Sequence, residues 1–111
     1  MFGNPLKKIE KLERKHNAEK IGPMVYDRKE EVRMAAIAAL GRIGGEHAVN
    51  ALVPLLHHDD KKLRIAGAEA MSVMKDPRTR MHLAHQSQLE KDPDVLAAIQ
   101  KAMQSVRSDI H

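Results

Sequence analysis

Apolar residues recur along this chain at the three- and four-residue spacing that places them on one face of a helix. This spacing predicts seven helices and no strands. Three of their starts pair a capping side chain with a proline: Asn4 with Pro5, Asp76 with Pro77, and Asp92 with Pro93. The other four predicted helices cover 18–27, 30–44, 47–57 and 61–74.

One helical phrase occurs three times. VRMAAIAALGRIG at 32–44 matches LRIAGAEAMSVMK at 63–75 without a gap after 31 residues, and VLAAIQKAMQSVR at 95–107 follows after 32. A repeat of roughly 30 to 47 residues is typical of α-solenoids, in which stacked helical hairpins share a core. The sequence therefore predicts an all-α fold, an α-solenoid of about seven helices: one N-terminal half-unit and three hairpins.

Two details modify this picture. Pro23 and Pro54 are equivalent positions inside predicted helices, where proline costs up to ~3 kcal/mol, so we expect a bend at each. In the third unit, Gln86 and Ser87 replace apolar residues, and we expect that part of the sixth helix to face water. The last helix turns polar residues such as Gln100 outwards, as a terminal capping unit requires.

The repeated phrase resembles the HEAT-repeat family, specifically small bacterial and archaeal HEAT-like proteins of the phycobilin-lyase type. The matching residues are Val32, Arg33, Ala36, Ala39, Leu40, Gly41, Ile43 and Gly44, followed by Ala48, Val49 and Leu52. The resemblance implies a right-handed superhelix whose second helices line a concave face. It divides a single domain, 1–111, into a capping helix at 1–17, repeats at 18–45 and 46–76, and a third repeat with a C-terminal cap at 77–111.

The resemblance also implies pairs between an acidic residue in each turn and an arginine early in the second helix. Asp27 with Arg33, and Asp59 or Asp60 with Arg64, would fill these roles. Leu96 stands where the third arginine is expected, so the series of pairs should end there.

Enzymatic activity is not expected, and we predict no catalytic residue, cofactor or metal site. In the related deoxyhypusine hydroxylases a His-Glu pair follows the repeat arginine, whereas here Met34 and Ala35 follow Arg33. A tetrapyrrole site is disfavoured because Phe2 and Tyr26 are the only aromatic residues. The pairs His57/His58 and His82/His85 could share a metal, but surface histidine is the favoured interpretation.

Composition narrows the setting. The chain has no cysteine, which excludes disulfides and thiolate metal sites, and no apolar run is long enough to span a bilayer. We therefore expect a cytoplasmic protein without a membrane partner. The net charge is +4, and residues 1–20 hold +3 of it, because six Lys and Arg residues face three Glu residues.

The leading functional hypothesis is a protein-binding adaptor. Its candidate binding residues, on the predicted concave face, are Arg33, Met34, Arg42 and Arg64, and an acidic segment is the favoured ligand. The alternative is nucleic-acid binding through these arginines and a basic N-terminal helix. The candidate basic patch consists of Lys7, Lys8, Lys11, Arg14 and Lys15. The chain is expected to be a monomer or a weak homo-oligomer.

Overall fold

The computed structural model of the chain describes residues 3–107, and within them every regular element is helical. The α-helices are α1 Pro5–Arg14, α2 Ala18–Ile21, α3 Glu30–Ile43, α4 Gly45–Leu52, α5 Lys61–Met74, α6 Arg80–Leu89 and α7 Pro93–Arg107. Three 3₁₀ segments accompany them, Gly22–Tyr26, Val53–His57 and Pro77–Thr79. The predicted all-α fold is confirmed. The outermost parts of the predicted capping units, 1–2 and 108–111, lie outside the described residues.

The helices form two layers. In one layer α1, α3, α5 and α7 pack in chain order, each against the next. The other layer contains α2 with Gly22–Tyr26, α4 with Val53–His57, and α6, and each of these packs against its neighbour in that layer. The resulting stack of hairpins measures 46 × 31 × 16 Å.

Local sequence signals explain where the helices begin. The Oδ1 atoms of Asn4, Asp60 and Asp92 accept hydrogen bonds from backbone N–H groups two residues on, at 2.9 Å in each case. Each bond satisfies a donor of the first turn that has no partner within the helix. Asp76 caps in the same way, but the segment that follows it, Pro77–Thr79, is 3₁₀ before α6 begins.

The two internal prolines change the type of helix. Both predicted helices, 18–27 and 47–57, start as α-helix and end as 3₁₀ segments, with the change falling one residue before Pro23 and Pro54. Proline lacks the N–H that an α-helical bond requires at its position, so the chain tightens there. The expected bend therefore takes the form of a switch from α to 3₁₀ geometry at equivalent places in two hairpins.

Small residues set the distance between α3 and α5. A Cβ atom built on Gly41 would lie 2.9 Å from the carbonyl oxygen of Ala70, so only glycine fits at this crossing. One continuous core lies between the layers, and its largest fully buried side chains include Ile21, Ile37, Leu40, Leu52, Leu55, Leu56, Met71, Leu83 and Ile99. The close crossing leaves a shallow surface depression above it.

Candidate functional site

A groove runs between α3 and α5 on the surface of the layer that these helices share. It has a volume of about 290 Å³ and is lined by Met34, Ile37, Ala38, Arg42, Ala66, Glu69, Ala70 and Val73. We call it the α3–α5 groove. The bottom of the groove is formed by small alanine side chains, and Val73, on one side of it, is 60% exposed. The groove is apolar except for Arg42 and Glu69.

The groove extends the set of residues that the sequence pointed to. Met34 and Arg42 were predicted, and Ala38 between them follows from helical spacing on one face. The residues of α5 were missed, although the 31-residue offset carries Ala38 onto Glu69 and Arg42 onto Val73. Of the candidate residues only Arg42 projects through the repeat onto this lining, at Val73, because Met34 projects onto Ile65.

Arg42 is held by α1. Its Nε and Nη2 atoms donate to the two carboxylate oxygens of Glu13 at 2.6 and 2.8 Å, a two-pronged ion pair across the helix boundary. The hydrogen bonds from Arg42 hold the pKa of Glu13 below its ordinary value, although burial opposes this shift. The charge of Arg42 is therefore compensated within the chain, whereas Glu69 takes part in no ion pair among residues 3–107.

Arg33 and Arg64, the other two candidate residues, do not line the α3–α5 groove. Arg33 Nη1 donates to the backbone carbonyls of Asp27 and Arg28, at 2.8 and 3.1 Å. Arg64 Nη1 makes the same two bonds one repeat later, to His58 O and to the carbonyl of the residue after it. Both arginines thus hold the turn that precedes their own helix.

The implied pairs between turn carboxylates and arginines are wrong: Arg33 and Arg64 bind backbone carbonyl oxygens of the turn, not its carboxylates. The Asp27 carboxylate accepts the backbone N–H of Lys29 at 2.9 Å, and Asp60 accepts that of Lys62 at the same distance. Each of these carboxylates accepts a backbone N–H of its own turn, and the arginine binds carbonyl oxygens. The position of Leu96 agrees with the end of the series, since a leucine cannot make these bonds.

A buried polar network joins the second and third hairpins. Arg64 Nε and Nη2 donate to Glu90 at 3.0 and 3.3 Å, and the Glu90 side chain is only 4% exposed. Gln86 Nε2 donates to the same carboxylate, and His57 Nδ1 donates to Gln86 Oε1 at 2.8 Å. The prediction that Gln86 faces water is wrong: it is 7% exposed, and two polar neighbours, His57 and Glu90, satisfy its amide.

Opposing effects act on the Glu90 carboxylate. Burial disfavours its charged form, but hydrogen bonds from Arg64, from the backbone N–H of Asp92 and from Gln86 favour it more strongly. The net result is a pKa below the ordinary value for glutamate, so Glu90 is ionised at neutral pH. Glu90 was not among the candidate residues, and its place six residues before Leu96 gave no sign of a charge partner.

The basic patch predicted on the first helix forms a single stripe on α1. Its five cationic side chains, Lys7, Lys8, Lys11, Arg14 and Lys15, are all exposed. At 100° per residue, and with Lys15 as the C-cap residue, they span about 120° on the side opposite the buried Ile9, while the buried Leu12 lies beside one edge of this arc. No acidic residue falls inside this arc, although the exposed Glu10 lies just beyond its edge, and Glu13 projects towards the packed side.

The candidate histidines serve other contacts or lie on the surface. His57 binds Gln86, whereas His58 Nδ1 accepts the backbone N–H of Asp60 at 3.0 Å, so the neighbouring rings are directed to different partners. His82 and His85 are exposed on α6. Across residues 3–107 no three His, Cys, Asp or Glu side chains are grouped as a metal site would need. None of the helices in this part of the chain is long and apolar enough to cross a membrane.

Comparison with known proteins agrees with this architecture. The sequence profile of the HEAT repeats matches residues 18–104, which is most of the chain. A search of curated proteins gives no significant match. The narrower likeness to phycobilin-lyase-type repeats stays a prediction. With the profile match spanning all three hairpins, the chain belongs to the HEAT-repeat family.

Proposed function

We propose that this chain is a non-enzymatic, cytoplasmic adaptor that binds a segment of a partner protein in the α3–α5 groove. HEAT repeats are generally protein-interaction scaffolds. The observation that carries the proposal is a contiguous apolar groove on an exposed helix layer, with Val73 60% exposed along its wall. A volume of about 290 Å³ suits a few aliphatic side chains of a partner better than a large cofactor.

The charges at the groove specify the ligand further. Glu69 lies beside the apolar residues of the groove and forms no ion pair with another described residue, so it favours a basic residue in the bound segment. An acidic residue of the ligand would compete with Glu13 for the two-pronged edge of the Arg42 guanidinium. The best-fitting ligand is therefore an amphipathic segment with aliphatic anchors and a flanking Lys or Arg. An acidic ligand, favoured by the sequence, would bind at the expense of the Arg42–Glu13 pair.

The test is a quantitative affinity capture from cells that naturally contain the protein. Ala38→Lys places a long charged side chain across the groove at an exposed position, so the fold should be retained. We expect partners captured by the unmodified chain to be lost from this variant. Asn50→Lys, at an exposed position on α4, is the matched control and should keep them. Equal capture by Ala38→Lys would refute the groove as the binding site.

Nucleic-acid binding is the second candidate, and the cationic stripe on α1 favours it. Five exposed cations on α1 and its C-cap residue, without an acid among them, supply the clustered positive charge that contacts to a phosphate backbone need. The three candidate arginines add little to this stripe, because Arg33 and Arg64 bind turn carbonyls and Arg42 is paired with Glu13.

A filter-binding titration at low salt with duplex and single-stranded probes tests this candidate. If the stripe is the interface, Lys7→Glu with Lys11→Glu should abolish retention, and affinity should fall steeply with salt. Lys91→Glu with Lys101→Glu, at exposed positions outside α1, controls for the change in net charge. The absence of retention of either probe at micromolar protein would remove the candidate.

A further inference from the structure

The turns of the three hairpins share one position, whose side chain accepts a backbone N–H of the turn. Asp27, His58 and Glu90 each follow the first helical element of their hairpin, and each accepts the backbone N–H two residues on, at 2.9, 3.0 and 3.2 Å. Six residues later come Arg33, then Arg64, then the leucine that ends the series. These positions are therefore structurally equivalent, and they create two comparable junctions between successive hairpins.

At the second junction the arginine is fully used. Arg64 holds its own turn through Nη1 and donates through Nε and Nη2 to Glu90 of the next hairpin. The carboxylate thus occupies the outer edge of the guanidinium, the edge that binds carboxylates in a two-pronged way.

At the first junction His58 stands where Glu90 stands at the second. Its Nδ1 already accepts the N–H of Asp60, so the neutral ring carries its proton on Nε2 and offers Arg33 no further acceptor. Arg33 Nε is buried and has no hydrogen-bond partner among residues 3–107. A buried donor without an acceptor is rare in folded proteins and unfavourable.

A cavity of about 340 Å³ opens at this junction, lined by Tyr26, Asp27, Arg28, Arg33, His58, Asp60 and Leu63. It shares no lining residue with the α3–α5 groove. The two carboxylates in the lining are already bound to backbone N–H groups. Arg28 brings an exposed cation to the place where the second junction has Asp59, one residue after the equivalent turn position. The first junction therefore has more donors and more positive charge than the second.

We propose that this pocket, the Arg33–His58 pocket, binds a carboxylate supplied by another molecule. The carboxylate accepts hydrogen bonds from the Arg33 guanidinium and from His58 Nε2–H, with Arg28 adding charge at the rim. The bound carboxylate accepts hydrogen bonds from Arg33 as the Glu90 carboxylate accepts them from Arg64 at the second junction. Its source is an acidic side chain or the C-terminus of a bound segment, so the pocket gives the protein a second recognition site, independent of the groove.

The side-chain Nε–H signals of Arg33 and Arg64 in a ¹⁵N-labelled sample test this proposal directly. The probes are glutamate capped as N-acetyl methylamide, for a side-chain carboxylate, and N-acetylalanine, for a C-terminus. Capped glutamine at equal ionic strength is the blank. We expect a saturable shift of the Arg33 signal in the millimolar range, with the larger response identifying the source. The Arg64 signal should stay in place because Glu90 already binds it.

Two variants decide whether the pocket causes the shift. His58→Glu supplies an internal carboxylate and should abolish the response to both probes, whereas His85→Glu adds the same charge at an exposed site on α6 and should not. Arg28→Glu, also at an exposed position, should weaken the response several-fold without affecting the fold. If neither probe gives a saturable Arg33 shift beyond the blank, or if His58→Glu retains it, the proposal is overturned.

Discussion

The two junctions between hairpins have equivalent arginines, Arg33 and Arg64, and differ in the residue that faces the Nε side of the guanidinium. At the second junction Arg64 binds a turn and a buried glutamate, and Gln86 and His57 extend the network. At the first junction Arg33 binds the equivalent turn carbonyls, but its Nε has no acceptor within the described part of the chain. Holding the turn therefore requires only Nη1. The remaining donors are available either to fasten the next hairpin or to bind something else, and one residue, His58 or Glu90, decides between these uses.

The largest expected effect is at the second junction. Arg64→Leu should lower the free energy of unfolding by about 3 to 5 kcal/mol, because it leaves the Glu90 charge buried without its partner. Arg33→Leu should cost less, since it removes turn bonds without leaving a buried charge behind. Urea unfolding of both variants measures the difference. Equal losses would mean that Glu90 adds nothing at the second junction.

The next largest effect is expected from His58→Glu, a substitution that makes the first junction resemble the second. His58→Glu should raise the free energy of unfolding by about 1 kcal/mol, because the new carboxylate gives an acceptor to Arg33 Nε, which is buried without a partner among residues 3–107. The gain should vanish in an Arg33→Leu background, where the new carboxylate has no guanidinium to accept from. A double-mutant cycle by urea unfolding measures this coupling. A destabilising His58→Glu would contradict the equivalence of the two junctions.

The repeat period was enough to predict the hairpins, their order and most helix starts, because capping residues and apolar spacing act locally. Gln86 shows why the rest was missed. Its polarity suggested exposure, but its position opposite His57 and Glu90 satisfies its amide inside the protein. The α3–α5 groove depends on how closely two helices approach, and this distance is set by the contact between Gly41 and Ala70. Such properties arise from pairs of residues that the chain order keeps far apart.

Acid should act on the second junction more than on the first. The hydrogen bonds to Glu90 hold its pKa below the ordinary value of about 4.3. Its contribution to stability is therefore fully present above that pH and is lost as the pH falls through the lower pKa of the folded state. Thermal unfolding from pH 6 to pH 3 should show a steeper loss for the unmodified chain than for Glu90→Gln. Parallel curves would mean that Glu90 titrates normally in the folded protein.

The smallest expected effect concerns the exposed counterpart of these junctions, the Arg42–Glu13 pair between α1 and α3. It has the same two-pronged geometry as Arg64–Glu90, but Arg42 is 55% exposed, so solvent screens the attraction. A double-mutant cycle with Arg42→Gln and Glu13→Gln should give a coupling of about 0.5 kcal/mol, decreasing further in 1 M salt. A coupling as large as that of the Arg64–Glu90 pair would mean that geometry, rather than burial, sets the strength of these arginine contacts. If the coupling is small, Arg42 can exchange Glu13 for an acidic residue of a partner at little cost to the fold, which Arg64 cannot do with Glu90.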